Sequence, residues 1–148
     1  MSGGRVLPAR AQQRGAERSS FMFGPPPQLS LELERTGSAA REVRVQLQRL
    51  AAGSASRGAI DDVLLLASEL VSNAVRHTSG AIGVSAWCSP EGRWWVEVED
   101  ESVVPPVVQT VPPEQLGGRG MQIVDALASC WGVARTKVGK RCWFELQT

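Results

Sequence analysis

The sequence predicts an α+β domain, a two-layer sandwich with helices on one face of a mostly antiparallel sheet. Three observations carry that expectation. Short segments alternate apolar and polar residues at a period of two, as Leu29, Leu31 and Leu33 do against Ser30, Glu32 and Glu34. A long segment ending at His77 carries its apolar residues at helical spacing. Along the chain the order is strand, two helices, two strands, a long loop, one helix and two strands, which suits two layers with the helices gathered on one side.

The elements follow in order. Residues 1–27 are rich in Arg, Gly, Ser and Gln, lack periodic hydrophobicity and close in Pro25-Pro26-Pro27, so they read as a disordered tail ending in a stiff polyproline stretch. Phe21, Met22 and Phe23 interrupt it, as a transient apolar cluster or as a docking point. Residues 28–148 make the domain. After the strand at 29–33, Thr36 or Ser38 can cap a helix over 39–52 that ends near Gly53. A helix over 58–77 comes next. Ile82, Val84, Ala86 and Cys88 mark a strand, Pro90-Glu91-Gly92 a turn, and residues 94–100 a further strand. Residues 101–117 hold four prolines and form a loop long enough to be functional or a lid. A helix over 119–129 leads to strands at 131–137 and 141–147, joined at Gly139-Lys140.

Composition narrows the function classes. Net charge is +1, but residues 1–27 hold four arginines against Glu17, so the basic excess lies outside the fold and speaks against a nucleic-acid-binding domain. No apolar run approaches the roughly 18 residues of a membrane span, and the first residues lack the apolar core of a secretory signal. Cys88, Cys130 and Cys142 are odd in number and without C-x-x-C spacing, which disfavours a disulfide scaffold or a zinc site and suits reduced thiols in a cytoplasm.

Three clusters could carry chemistry. On the helix over 58–77, Ile60, Val63, Leu64, Leu66, Ala67, Leu70, Val71, Ala74 and Val75 cover about half the circumference. Glu69, Asn73, Arg76 and His77 gather on the other half below Asp62, with only Leu65 intruding. The amide oxygen of Asn73 suits a hard cation such as Mg²⁺, and Glu69, one turn earlier, could accept a proton beside it; the alternative is a solvated helix face. Arg76 reads equally as a phosphate contact or a surface charge, and His77 as a structural hydrogen-bonder. In the third strand, Asp100 falls in phase with Trp94, Val96 and Val98, so it is either the floor of a pocket awaiting a ligand N–H or a turn residue past the strand's end. Gly117, Gly118 and Gly120 surround Arg119 before a helix, a phosphate cradle or a flexible connection, with neither a G-K-[ST] nor a dinucleotide fingerprint.

Taken in order, these clusters resemble the nucleotide-binding domain of the GHKL ATPases, the superfamily of gyrase and the histidine kinases. "ELVSNAVRH" looks like the N box, "VEVEDES" like the first glycine box, "GGRGMQIVDALASCWGV" like the second, and "GKRCWFEL" like the last strand pair. The short length, the R-H after the N box and the W-G-V strand most resemble the anti-sigma-factor and serine-protein-kinase branch. The resemblance implies a histidine-kinase-like ATP-binding domain of the Bergerat type binding ATP and Mg²⁺. Asn73 would hold the metal against the phosphates, Glu69 would be the general base, and Asp100 would accept the adenine amino group. Arg76, Gly118, Arg119, Gly120 and Met121 would lie on the phosphate side. It also implies a sigma factor and an anti-sigma-factor antagonist as partners, the latter phosphorylated on serine. The chain departs from the first glycine box at Ser102 and Val104, where glycines are usual, which favours the alternative of a module that binds partners without phosphoryl transfer. Finally, Trp87, Trp95 and Trp143 fall on the face without helices, with Glu97, Glu99, Arg141 and Glu145 as a polar rim. Large aromatics there predict an exposed patch and a homodimer or partner contact, unless Phe21–Phe23 fold back over it.

Overall fold

Period-two alternation puts one side of each strand into a core, and the antiparallel pairing follows from it. The structure, a computed structural model, describes residues 27–53, 60–102 and 120–148, together with the backbone of residues 4–5 and 108–109. In chain order the elements are β1 Gly4–Arg5, β2 Leu29–Leu33, α1 Ala39–Ala52, α2 Ile60–His77, β3 Ile82–Cys88, β4 Arg93–Asp100, β5 Val108–Gln109, α3 Gly120–Leu127, β6 Cys130–Arg135 and β7 Lys140–Gln147. The main sheet runs β2-β3-β4-β7-β6 with every neighbour antiparallel. Its register pairs Leu31 with Val84, Val84 with Val98, and Val98 with Cys142, so one apolar row crosses the strands. That row meets Val43 and Leu47 of α1, Leu66, Leu70 and Val71 of α2, and Val124 of α3 in a single core. The expected α+β sandwich is therefore observed.

Local details differ from expectation. Ser38 precedes α1 with φ −91° and ψ −3°, already helical, and its side chain makes no cap bond. Its hydroxyl instead pairs with that of Thr36 at 2.9 Å. The C-terminal end of α2 is tied down by Arg35, whose Nε donates to the Val75 carbonyl at 2.8 Å, satisfying an orphan acceptor at the negative end of the helix dipole. Gly4–Arg5 pairs with Val108–Gln109, a contact that no local sequence signal announces; residues 6–26, including Phe21–Phe23, lie outside the described residues, as does most of the loop at 101–117. No helix among the described residues is long and apolar enough to cross a membrane.

The sheet face opposite the helices carries Trp87, Trp95 and Trp143, as the phase predicts, but the expected exposed patch is absent. Trp95 and Trp143 are only 5% and 4% exposed and stack on each other with centroids 4.4 Å apart. A homodimer through exposed tryptophans therefore loses its basis. Trp143 lies flat over Gly132 of β6, where a methyl group would come within 2.7 Å of the indole Cζ2. Gly132→Ala is expected to break the stack and cost about 1–3 kcal/mol, the usual range for overpacking. Loss of the near-ultraviolet signal of the stacked indoles, alongside a lower melting temperature, checks it.

Of the expected polar rim, Glu97, Glu99 and Arg141 come together, whereas Glu145 is buried at 4% exposure. Arg141 bridges Glu99 at 2.8 Å and Glu97 at 3.5 Å, and Glu97 accepts the Trp95 indole N–H at 2.8 Å. Burial raises the Glu97 carboxyl above its ordinary 4.5 despite the opposing pull of Trp95 and Arg141. The folded chain then holds this proton more tightly than the unfolded one. Its contribution is complete below pH 4.5 and is lost as the pH climbs through the interval just above. Denaturant titrations across that interval should show stability falling with pH, and a flatter profile for Glu97→Gln.

Candidate functional site

The polar stripe of α2 divides once the helix is packed. Asp62, Leu65, Arg76 and His77 stay exposed, Glu69 is half-buried, and Asn73 is buried at 7% exposure. α3 packs along α2 and meets it at Glu69. A side chain at Gly120, the first residue of α3, would meet Glu69: an added Cβ falls 2.7 Å from Glu69 Oε2. Glycine is thus needed where α3 begins, and the Glu69 carboxylate sits at the positive end of that helix. The structure brings Glu69, Gly120 and the neighbouring Met121 together, the last two buried. Gly117, Gly118 and Arg119 lie outside the described residues, and Arg76 is left on the surface.

The C-terminal end of α2 leads into Ile82, which pairs with Leu33, and the next residue, Gly83, pairs with Glu99. The end of α2, the end of β4 and the start of β7 therefore occupy one end of the molecule. There β4 continues through Asp100, which is 3% exposed and faces the helices, so the turn reading is excluded. Its carboxylate has partners within the fold. Oδ1 accepts the Ser102 N–H at 2.7 Å, and Oδ2 lies 3.3 Å from the Lys140 ammonium. Both side chains are almost wholly buried, Lys140 at 3% and Asp100 at 2% exposure. Their meeting follows from the register, which sets Asp100 opposite Lys140, in the same phase as Val98 opposite Cys142.

Sequence reading missed Lys140 by assigning it to the hairpin turn. The available signal was phase: Lys140 precedes Cys142, Phe144 and Leu146 at intervals of two, so it belongs to the buried row. Gly139 explains why the turn is so close. A Cβ there would lie 2.6 Å from Glu101 Cα, and the obstacle is main chain that cannot rotate away. Ser102, where the glycine box usually has glycine, still delivers its backbone N–H to Asp100, so the side chain does not block this contact. Val104 is outside the described residues.

Lys140 Nζ has no hydrogen-bond acceptor in good geometry among the described residues. A buried ammonium has three donors to satisfy, so the Asp100–Lys140 pair is only partly matched from within the fold.

Other groups at this end contribute less. Burial pushes the Cys142 thiol up to about 12, which removes it as a nucleophile. No group of three or more His, Cys, Asp or Glu side chains is placed to hold a metal ion among the described residues. Asn73 with Glu69 one turn away would leave a bound metal to draw its other ligands from water and phosphate, which suits Mg²⁺ better than zinc or calcium. A cavity of about 550 Å³ is lined by Glu32, Glu97, Glu99, Asp100, Glu101 and Arg141, so it reaches the end of β4. Its carboxylates would repel a triphosphate.

Comparison with known proteins places the fold. No family model matches the chain, and no curated protein does. Among solved structures, the chain is similar to the crystal structure of the RsbU and RsbW domains of Rv1364c from Mycobacterium tuberculosis, with 26% identity and a TM-score of 0.59. The likeness covers 82% of this chain but only 33% of that one, so the chain spans about a third of its neighbour's length.

Proposed function

We propose that this chain is a partner-switching regulator of the anti-sigma type that binds ATP and Mg²⁺. On this reading it holds a sigma factor inactive in the cytoplasm and phosphorylates a serine on an antagonist protein. The observation that carries the reading is the likeness to the RsbU and RsbW domains over most of the chain. The placement of Glu69 at the start of α3 supports the chemistry. ATP would supply the phosphoryl group. Asn73 would hold Mg²⁺, and Gly120 and Met121 would present backbone N–H groups to the phosphates at the helix N-terminus. Glu69 would take the proton from the serine hydroxyl, the step in which a positioned carboxylate acts as general base.

A second reading keeps the partners and dispenses with the chemistry, and the pairing of Asp100 with Lys140 favours it. One experiment separates the two. Proteins retained by the purified chain from native cytoplasm are identified, and phosphate transfer from labelled ATP to each is followed with and without Mg²⁺. Transfer to a serine supports the kinase; retention of a sigma factor without transfer supports the binding module. If neither partner class is retained, the anti-sigma reading fails.

A further inference from the structure

We propose that residues 6–26 of this chain dock across the helix-free face of the sheet, with Phe21–Phe23 seated on Trp87, Trp95 and Trp143. The face is buried on a side that the described helices do not reach: Val43 of α1, Val71 of α2 and Val124 of α3 all pack into the core on the opposite side. Side chains standing on a sheet shield one another sideways, but a sheet face open to water leaves large rings partly exposed from above. Trp95, Trp143 and Glu145 are nevertheless only 5%, 4% and 4% exposed. Stacking covers one face of each indole, and Gly132 lies against Trp143. The outer side of the rings is left for a further layer.

The ends of the segment stand at the two sides of this face. Gln28 donates its N–H to the Ala86 carbonyl at 3.1 Å, and its Oε1 accepts the Cys88 N–H at 2.6 Å, so the chain enters the sheet beside Trp87. At the other end, β1 pairs with β5, β5 packs on α3, and α3 packs on β6, the far edge of the sheet. The 21 residues between reach about 70 Å when extended, against about 20 Å across five strands. Phe23, five residues before Gln28, has about 15 Å of reach, enough to pass from β3 over β4 to β7. Charge agrees with this course. The face carries Glu32, Glu97, Glu99 and Glu145 against Arg93 and Arg141, an excess of two carboxylates. Residues 6–26 carry Arg10, Arg14 and Arg18 against Glu17, an excess of two cations. Apolar and basic parts of the segment thus match apolar and acidic parts of the face, and any other partner for the tryptophans must first displace it.

Photo-crosslinking of the full chain, with benzoylphenylalanine introduced in place of Phe21 or Phe23, tests the docking. The expected product is a crosslink within one chain that maps by peptide mass to residues 82–100 or 140–147. Crosslinks to the helix layer alone, crosslinks joining two chains, or none, overturn the proposal. Hydroxyl-radical footprinting reads the same contact without a probe. Trp95 and Trp143 of the native chain should be as protected as Trp94, which lies in the main core. In the double variant Phe21→Ser, Phe23→Ser their oxidation should rise roughly tenfold or more, the factor carried by the loss of one buried phenylalanine. Trp94 should stay protected, which shows that the fold is intact. Unchanged protection of Trp95 and Trp143 in the folded variant means that another part of the chain covers them and overturns the proposal. Should Trp94 react as well, the variant has unfolded and the crosslink decides.

Discussion

Lys140→Met is expected to destabilise the folded chain by about 3–5 kcal/mol, the usual cost of removing one partner from a buried ion pair. The magnitude follows from what remains. Asp100, 3% exposed, would keep its Ser102 N–H bond but lose its cationic partner among the described residues. Methionine nearly matches lysine in length, so packing is kept and the loss is electrostatic. The double variant Asp100→Asn, Lys140→Met should recover much of the stability, since it removes both charges and leaves an amide to accept from Ser102. Urea denaturation of the two single variants and the double closes the cycle. Additive losses would mean that the pair does not interact in solution.

The second large effect concerns chemistry. In Glu69→Ala, phosphate transfer to the antagonist's serine is expected to fall by about 10²–10⁴-fold, the contribution of a positioned general base. Nucleotide affinity should hardly change, or should rise slightly, because the Glu69 carboxylate occupies the positive end of α3 where phosphate would be attracted. That split between chemical step and binding marks a base rather than a structural residue. Transfer rates under saturating nucleotide, with calorimetry on the same protein, measure both halves. Wild-type transfer by the variant would leave Glu69 as an ordinary contact between α2 and α3.

Much of the fold was legible because periodicity is a property of neighbouring residues. The alternation of Leu29, Leu31 and Leu33, the apolar arc from Val63 to Ala74, and the row Val96, Val98, Asp100 each declare a buried face without knowledge of what covers it. That Asp100 would be buried was likewise written in its phase. The N-cap of α1 was not legible in the same way, since Thr36 and Ser38 chose each other over the helix backbone.

What the sequence by itself determined about this protein is thus the element types, their order, the two faces of each strand and the positions where polar groups enter the core. Only the tertiary structure decided how those groups are partnered. The cross-strand register set Lys140 against Asp100, the packing of α3 turned Glu69 toward Gly120, and the absence of a side chain at Gly132 let Trp143 lie flat and stack on Trp95. The reason is physical: burial follows from local pattern, but an ion pair or a ring stack depends on the distance between residues dozens of positions apart. That distance exists only once the sheet has closed.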